Sequence, residues 1–83
     1  MKKLKLGAIL KACRIRSGLS QEELAEKLFI NQSDVSKYET DRKEPTVSLF
    51  QAWIMNTQSS EVAVAFLMGM DGLNILQNLM PLL

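Results

Sequence analysis

Residues 19–39 read Leu19-Ser20-Gln21-Glu22-Glu23-Leu24-Ala25-Glu26-Lys27-Leu28-Phe29-Ile30-Asn31-Gln32-Ser33-Asp34-Val35-Ser36-Lys37-Tyr38-Glu39. Ser20 to Glu23 is a capping box, with a serine at the N-cap and a glutamate three residues on. It predicts a short helix that turns Leu24, Ala25 and Leu28 inward. Asn31 to Asp34 predicts a second helix of the same style, with Asn31 as N-cap and an acid in the first turn where the helix dipole favours it. Val35 and Tyr38 are its inward residues. Phe29 and Ile30 alone separate the two, so the connection is very tight.

The flanks read as further helices. Leu6, Ile9, Leu10 and Cys13 fall at i, i+3, i+4 and i+7, one apolar stripe. Gly18 ends that helix after Arg14 and Arg16, basic residues suited to a last turn. Glu44-Pro45-Thr46 restarts the chain, and Val47, Phe50, Trp53 and Ile54 form a fourth stripe. Ser59 or Ser60 is placed to cap a fifth helix running to about Met68. Gly69 and Asp71-Gly72 break it, and a last short helix is expected from Leu73 until Pro81. Nothing alternates with period two. The expected fold class is all-α, a compact unit of five or six helices. Within it, two short helices on a tight turn, the second polar outside, describe a helix-turn-helix.

Composition narrows the function. A length of 83 residues is one small domain at about 100–200 residues per domain. It is 47% hydrophobic and 23% charged, which is globular. One cysteine allows no internal disulfide, and the absence of histidine removes ordinary zinc sites and His-based catalysis. No cofactor, no metal, no small-molecule substrate and no enzymatic activity are expected. The basic start Met1-Lys2-Lys3-Leu4-Lys5 is followed by an apolar stretch that Lys11 cuts too short for a signal peptide. Val62 to Met70 is far short of the roughly 20 residues a bilayer needs. A soluble, cytoplasmic chain with no membrane partner is expected.

Charge is uneven. All ten Lys and Arg lie in residues 1–43 with six acids, a sum of +4, whereas residues 44–83 hold Glu44, Glu61 and Asp71, a sum of −3. A basic first half suits a polyanion such as nucleic acid, and a nearly uncharged second half suits packing or self-association. The competing reading is an ordinary solvated surface.

The quoted stretch, with Arg14-Ile15-Arg16-Ser17-Gly18 before it and Glu44-Pro45-Thr46 after it, resembles the lambda-repressor-like, Cro-type (XRE) helix-turn-helix family. The resemblance covers about residues 6–56 and rests on the spacing of Gln21, Leu24, Ala25, Leu28, Ile30, Val35, Ser36 and Glu39. A small residue at 25 lets the two helices cross closely, and Leu24, Leu28, Ile30, Val35 and Tyr38 set the crossing angle. That leaves the outer face of the second helix free for a DNA major groove, which admits one α-helix. The family usually has glycine where this chain has Phe29, because the turn there needs positive φ. A non-glycine residue in that conformation costs about 1–2 kcal/mol. The alternative is a different turn in which Phe29 joins the core.

The resemblance implies which residues meet DNA. Gln32, Ser33, Ser36 and Lys37 are the expected base-reading set, with Gln32 foremost because glutamine pairs in bidentate fashion with adenine. Gln21, Thr40, Arg42, Lys43 and Arg14 are expected at the backbone, adding affinity without sequence information. Gln21 is also placed to buttress Gln32. Taken singly, Gln21 reads as solvated, and Arg42 and Lys43 read as loop charge. Asp34 would accept from cytosine N4 or simply favour the dipole, the latter preferred. Glu39 reads as structural, pairing with a basic residue of the first helix. Cys13, Phe50 and Trp53 read as core.

Residues 61–83 hold fifteen apolar residues of 23 and no basic residue. A helix apolar around most of its girth is buried on more than one side. Domains are therefore drawn at 1–58, the helix-turn-helix unit, and 59–83, an apolar extension that dimerises through Phe66, Leu67, Met70, Leu73, Leu76, Leu79 and Met80. The competing reading has this segment completing the monomer's core. A C2 dimer would set two recognition helices about 34 Å apart on a palindromic operator. The expected function is a sequence-specific double-stranded DNA-binding regulator, a homodimeric repressor, and the resemblance implies a bacterial or phage origin. The alternative is an antirepressor or antitoxin that hetero-associates with another regulator or a toxin through the apolar segment.

Overall fold

The computed structural model describes residues 6–67. Among them run five helices and no strand: α1 (Gly7–Arg16), α2 (Gln21–Leu28), α3 (Gln32–Glu39), α4 (Val47–Asn56) and α5 (Ser60–Leu67). The helix expected from Leu73 lies outside the described residues.

Local chemistry sets the boundaries. The Ser20 hydroxyl accepts from the Glu23 backbone N–H at 3.0 Å, and the Glu23 carboxylate accepts from the Ser20 N–H at 2.8 Å. The Ser20 backbone N–H, then its hydroxyl, hold the Glu23 carboxyl below the usual carboxylate range. A depressed value stabilises the fold above the unfolded pKa, and that contribution is lost as pH falls through the folded one. Thr46 caps α4 by accepting from the Leu49 N–H at 3.1 Å. Asn31 stands at the N-cap of α3 with extended backbone, but its side chain makes no cap bond.

No side chain beside α1 in sequence caps it. Asp41, in the loop after α3, does so instead by accepting from the Gly7 N–H at 2.9 Å. The approach is so close that a Cβ at Gly7 would run into the Glu39 carbonyl oxygen. Glycine is required there for space.

The core joins α1, α2, α3 and α4 through Leu10, Leu24, Ala25, Leu28, Val35, Tyr38 and Trp53. Trp53 is fully buried, donates from Nε1 to the Leu10 carbonyl at 3.1 Å, and meets Tyr38 edge-on at 6.2 Å. Cys13 is a buried free thiol. Arg16 ties α1 to α5, donating to the Glu61 carboxylate and the Ser59 hydroxyl at 2.8 Å each. Among the described residues, no buried side-chain nitrogen or oxygen lacks a partner.

Two stripe residues face outward. Ile9 lies at the edge of the α1 stripe, rotated one residue from Leu10, and is part-exposed. Val47 opens α4 ahead of Leu49 and Phe50, which pack against the core, and it is exposed.

Phe29 corrects a second expectation. It takes the left-handed conformation (φ 58°, ψ 41°) and is 94% exposed, so the alternative that brings it into the core is overturned. The reason is backbone hydrogen bonding: the Ile30 N–H donates to the Ala25 carbonyl at 3.0 Å, the closure of a Schellman motif, which needs positive φ at the intervening residue. The family's turn is thus retained without its glycine. Phe29→Gly is expected to raise stability by about 1 kcal/mol, since strain is relieved and no burial is lost. A rise in Tm of roughly 4–8 °C in a thermal melt would report it. An unchanged Tm would mean that the turn holds no strain.

Candidate nucleic-acid interface

The polar face of α3 follows from helix periodicity. Val35, Tyr38 and Glu39 are buried on one side, which turns Gln32, Ser33, Lys37 and Thr40 into solvent on the other, with Ser36 half-buried between them. The expected base-reading residues therefore share one face.

Gln21 opens α2 directly beside this face. The Gln32 Nε2 donates to the Gln21 Oε1 at 2.5 Å, so the expected buttress is formed. The Gln21 Nε2 in turn donates to the Glu39 Oε1 at 3.0 Å. Glu39 pairs with Arg14 of α1, the partner class expected for it, at 2.6 Å from Nε and 3.1 Å from Nη2. The side chains of this pair are 11% and 1% exposed. Arg14 also donates from Nη1 to the Leu19 carbonyl at 3.0 Å. The structure thus commits the Arg14 guanidinium inward, to the α1–α3 contact, and not to the open face.

Arg42 and Lys43, in the loop after α3, fold back along that helix. Arg42 donates to the Thr40 hydroxyl at 2.9 Å and approaches the Ser36 hydroxyl at 3.5 Å. Thr40 folds back on the Ser36 carbonyl at 2.8 Å. Lys43 lies 3.4 Å from Asp34 and over the Tyr38 ring, 5.4 Å from its centroid. Asp34 sits in the first turn of α3, as the dipole reading requires. Lys43 also offsets its charge on a face that would otherwise repel phosphate. Such exposed pairs are worth about 0–1 kcal/mol, so the contact ties Lys43 down only weakly.

Of the expected dimer residues, Phe66 and Leu67 lie at the end of α5. Met70, Leu73, Leu76, Leu79 and Met80 lie outside the described residues. Among the tertiary contacts that go beyond the sequence-based expectations are the Asp41 cap on α1 and the coupling of Glu39 to Gln21. For Glu39 a signal exists: with Val35 and Tyr38 it completes an i, i+3, i+4 inner face, so an acid there needs a buried partner. For Asp41 no local pattern points to a helix 34 residues away.

Two short helices on a left-handed turn, the second with a polar outer face, define a helix-turn-helix domain. The helix-turn-helix family model HTH_3 matches residues 10–60, more than half of the chain. The chain belongs to this XRE-type family and is a DNA-binding transcription regulator. No curated protein and no solved structure matches it. No helix among the described residues is long and apolar enough to cross a membrane.

Proposed function

We propose that the protein is a cytoplasmic repressor that binds a palindromic double-stranded operator as a homodimer, with residues 1–58 reading DNA. The observation that carries this is the Gln21–Gln32 pair at the open end of α3. It presents an amide, braced by its neighbour, where a helix entering the major groove reaches base edges. Gln32, Ser33, Ser36 and Lys37 read bases in this proposal. Gln21, Thr40, Arg42 and Lys43 hold the backbone, and Arg14 supports them from within.

Dimerisation is assigned to residues 59–83. Beside α5, a shallow depression of about 390 Å³ lined by Ile9, Glu61, Val62 and Ala65 supports an apolar contact on this side of the molecule, opposite in character to the polar α3 face. Sedimentation of the full chain at micromolar concentration is expected to give a dimer, and a monomer there would remove this assignment.

The test of the function is selection of bound duplexes from a random pool at near-physiological salt. A palindromic consensus is expected. Gln32→Ala should then cost about 1–3 kcal/mol on that operator and relax one position, while Lys43→Ala weakens all sequences alike. Unchanged selectivity after Gln32→Ala would sink the base-reading role. Failure to enrich any sequence would favour the reading in which the apolar segment binds a partner regulator or toxin.

A further inference from the structure

We propose that Glu39, buried and out of reach of DNA, is a specificity-determining positioning residue that makes Gln32 prefer adenine over guanine. The inference rests on the reading of Gln32 as a base contact. Its physical basis is the polarity of amides. A glutamine side chain has a donor end and an acceptor end, and nothing in an isolated amide decides which end faces a base.

Here the choice is forced. The Glu39 carboxylate has acceptors only, and Arg14 grips both of its oxygens, at 2.6 Å and 3.1 Å. Gln21 must therefore turn its Nε2 towards Glu39, at 3.0 Å, which points its Oε1 the other way. Gln32 meets that oxygen with its own Nε2, so one of its two N–H groups is taken. What Gln32 has left to offer is one N–H and its Oε1. That donor–acceptor pair matches adenine, whose N7 accepts and whose N6 donates in the major groove. Guanine presents two acceptors, N7 and O6, and asks for two donors. A buried acid thus chooses the base through two amides, and Arg14 holds the acid in place.

Removing the acid together with its cation tests it, because the oxygen that faces Gln21 also accepts from Arg14 Nη2, and an amide at 39 would keep its oxygen there. In Arg14→Met with Glu39→Leu, no carboxylate holds the Gln21 Nε2. Gln21 then offers Gln32 either end of its amide, and Gln32 is free to turn both of its own N–H groups outward. Selection from randomised duplexes with the purified full chain locates the base pair that depends on Gln32, by comparing wild type with Gln32→Ala. At that pair, the adenine-over-guanine ratio is expected to fall by about tenfold in the double variant. Gln21→Leu leaves the Arg14–Glu39 pair intact and cuts the relay between the acid and the reader, so the ratio is expected to collapse there too. Folding of each variant is followed by circular dichroism, and Gln21→Leu alone is decisive if the double variant does not fold. A mere loss of stability lowers affinity for all sequences and leaves the ratio alone. Retention of the wild-type ratio by either folded variant overturns the proposal. A wild-type profile with no Gln32-dependent base pair is a different failure, that of the DNA-reading role, and the proposal falls with it.

Discussion

Replacing Trp53 with alanine is expected to cost about 3–5 kcal/mol, a quarter or more of the roughly 4–12 kcal/mol that a chain of this length possesses. Three contributions add at this side chain. It is fully buried where α4 meets the other core helices. Its ring supports Tyr38 edge-on, a geometry worth about 0.5–1.5 kcal/mol beyond burial. Its Nε1 donates to the Leu10 carbonyl across 43 residues of chain. Trp53→Phe keeps most of the volume and loses that bond, so its cost should be nearer 1–2 kcal/mol. Urea unfolding followed by far-ultraviolet circular dichroism measures both. A cost below about 1.5 kcal/mol for the alanine variant would show that the core closes without the indole.

The second large effect is at Glu39. Glu39→Ala should destabilise by about 3–5 kcal/mol, because it strands the Arg14 guanidinium in an environment that admits little water. The size comes from the abandoned charge more than from the lost attraction. Replacing both partners, as in Arg14→Met with Glu39→Leu, is therefore expected to recover most of that loss. Chemical denaturation of the single and double variants separates the two. A double variant as unstable as Glu39→Ala would mean that the pair itself, and not its burial, holds α1 to α3. The recovered double variant also has a use for DNA recognition, since it folds without a carboxylate to orient Gln21.

Much of the fold is legible in sequence because its signals are short-range. The capping box spans three residues, the stripes repeat within two turns, and the inner residues of α2 and α3 all fall where periodicity puts them. The departures have two causes. Ile9 and Val47 obey the periodicity but lie at the margin of a face, and how far a face is covered depends on neighbours that periodicity does not describe. Phe29 is ambiguous in sequence because residue preference opposes positive φ while the backbone closure of α2 demands it. The hydrogen bond from Ile30 to Ala25 settles the matter.

For the site, the residue types and their register on one helix face are available from the chain alone, together with the family they resemble. These depend on spacing, and spacing is a property of sequence. Which polar groups meet is decided only in three dimensions. Glu39 reaches Gln21 across 18 residues, Asp41 reaches Gly7 across 34, and Arg14 turns inward, because the crossing of α1, α2 and α3 brings those atoms within bonding distance. Hydrogen bonds fall off within a few tenths of an ångström and a few tens of degrees. A linear pattern can nominate such partners, and only a packed arrangement of helices selects among them.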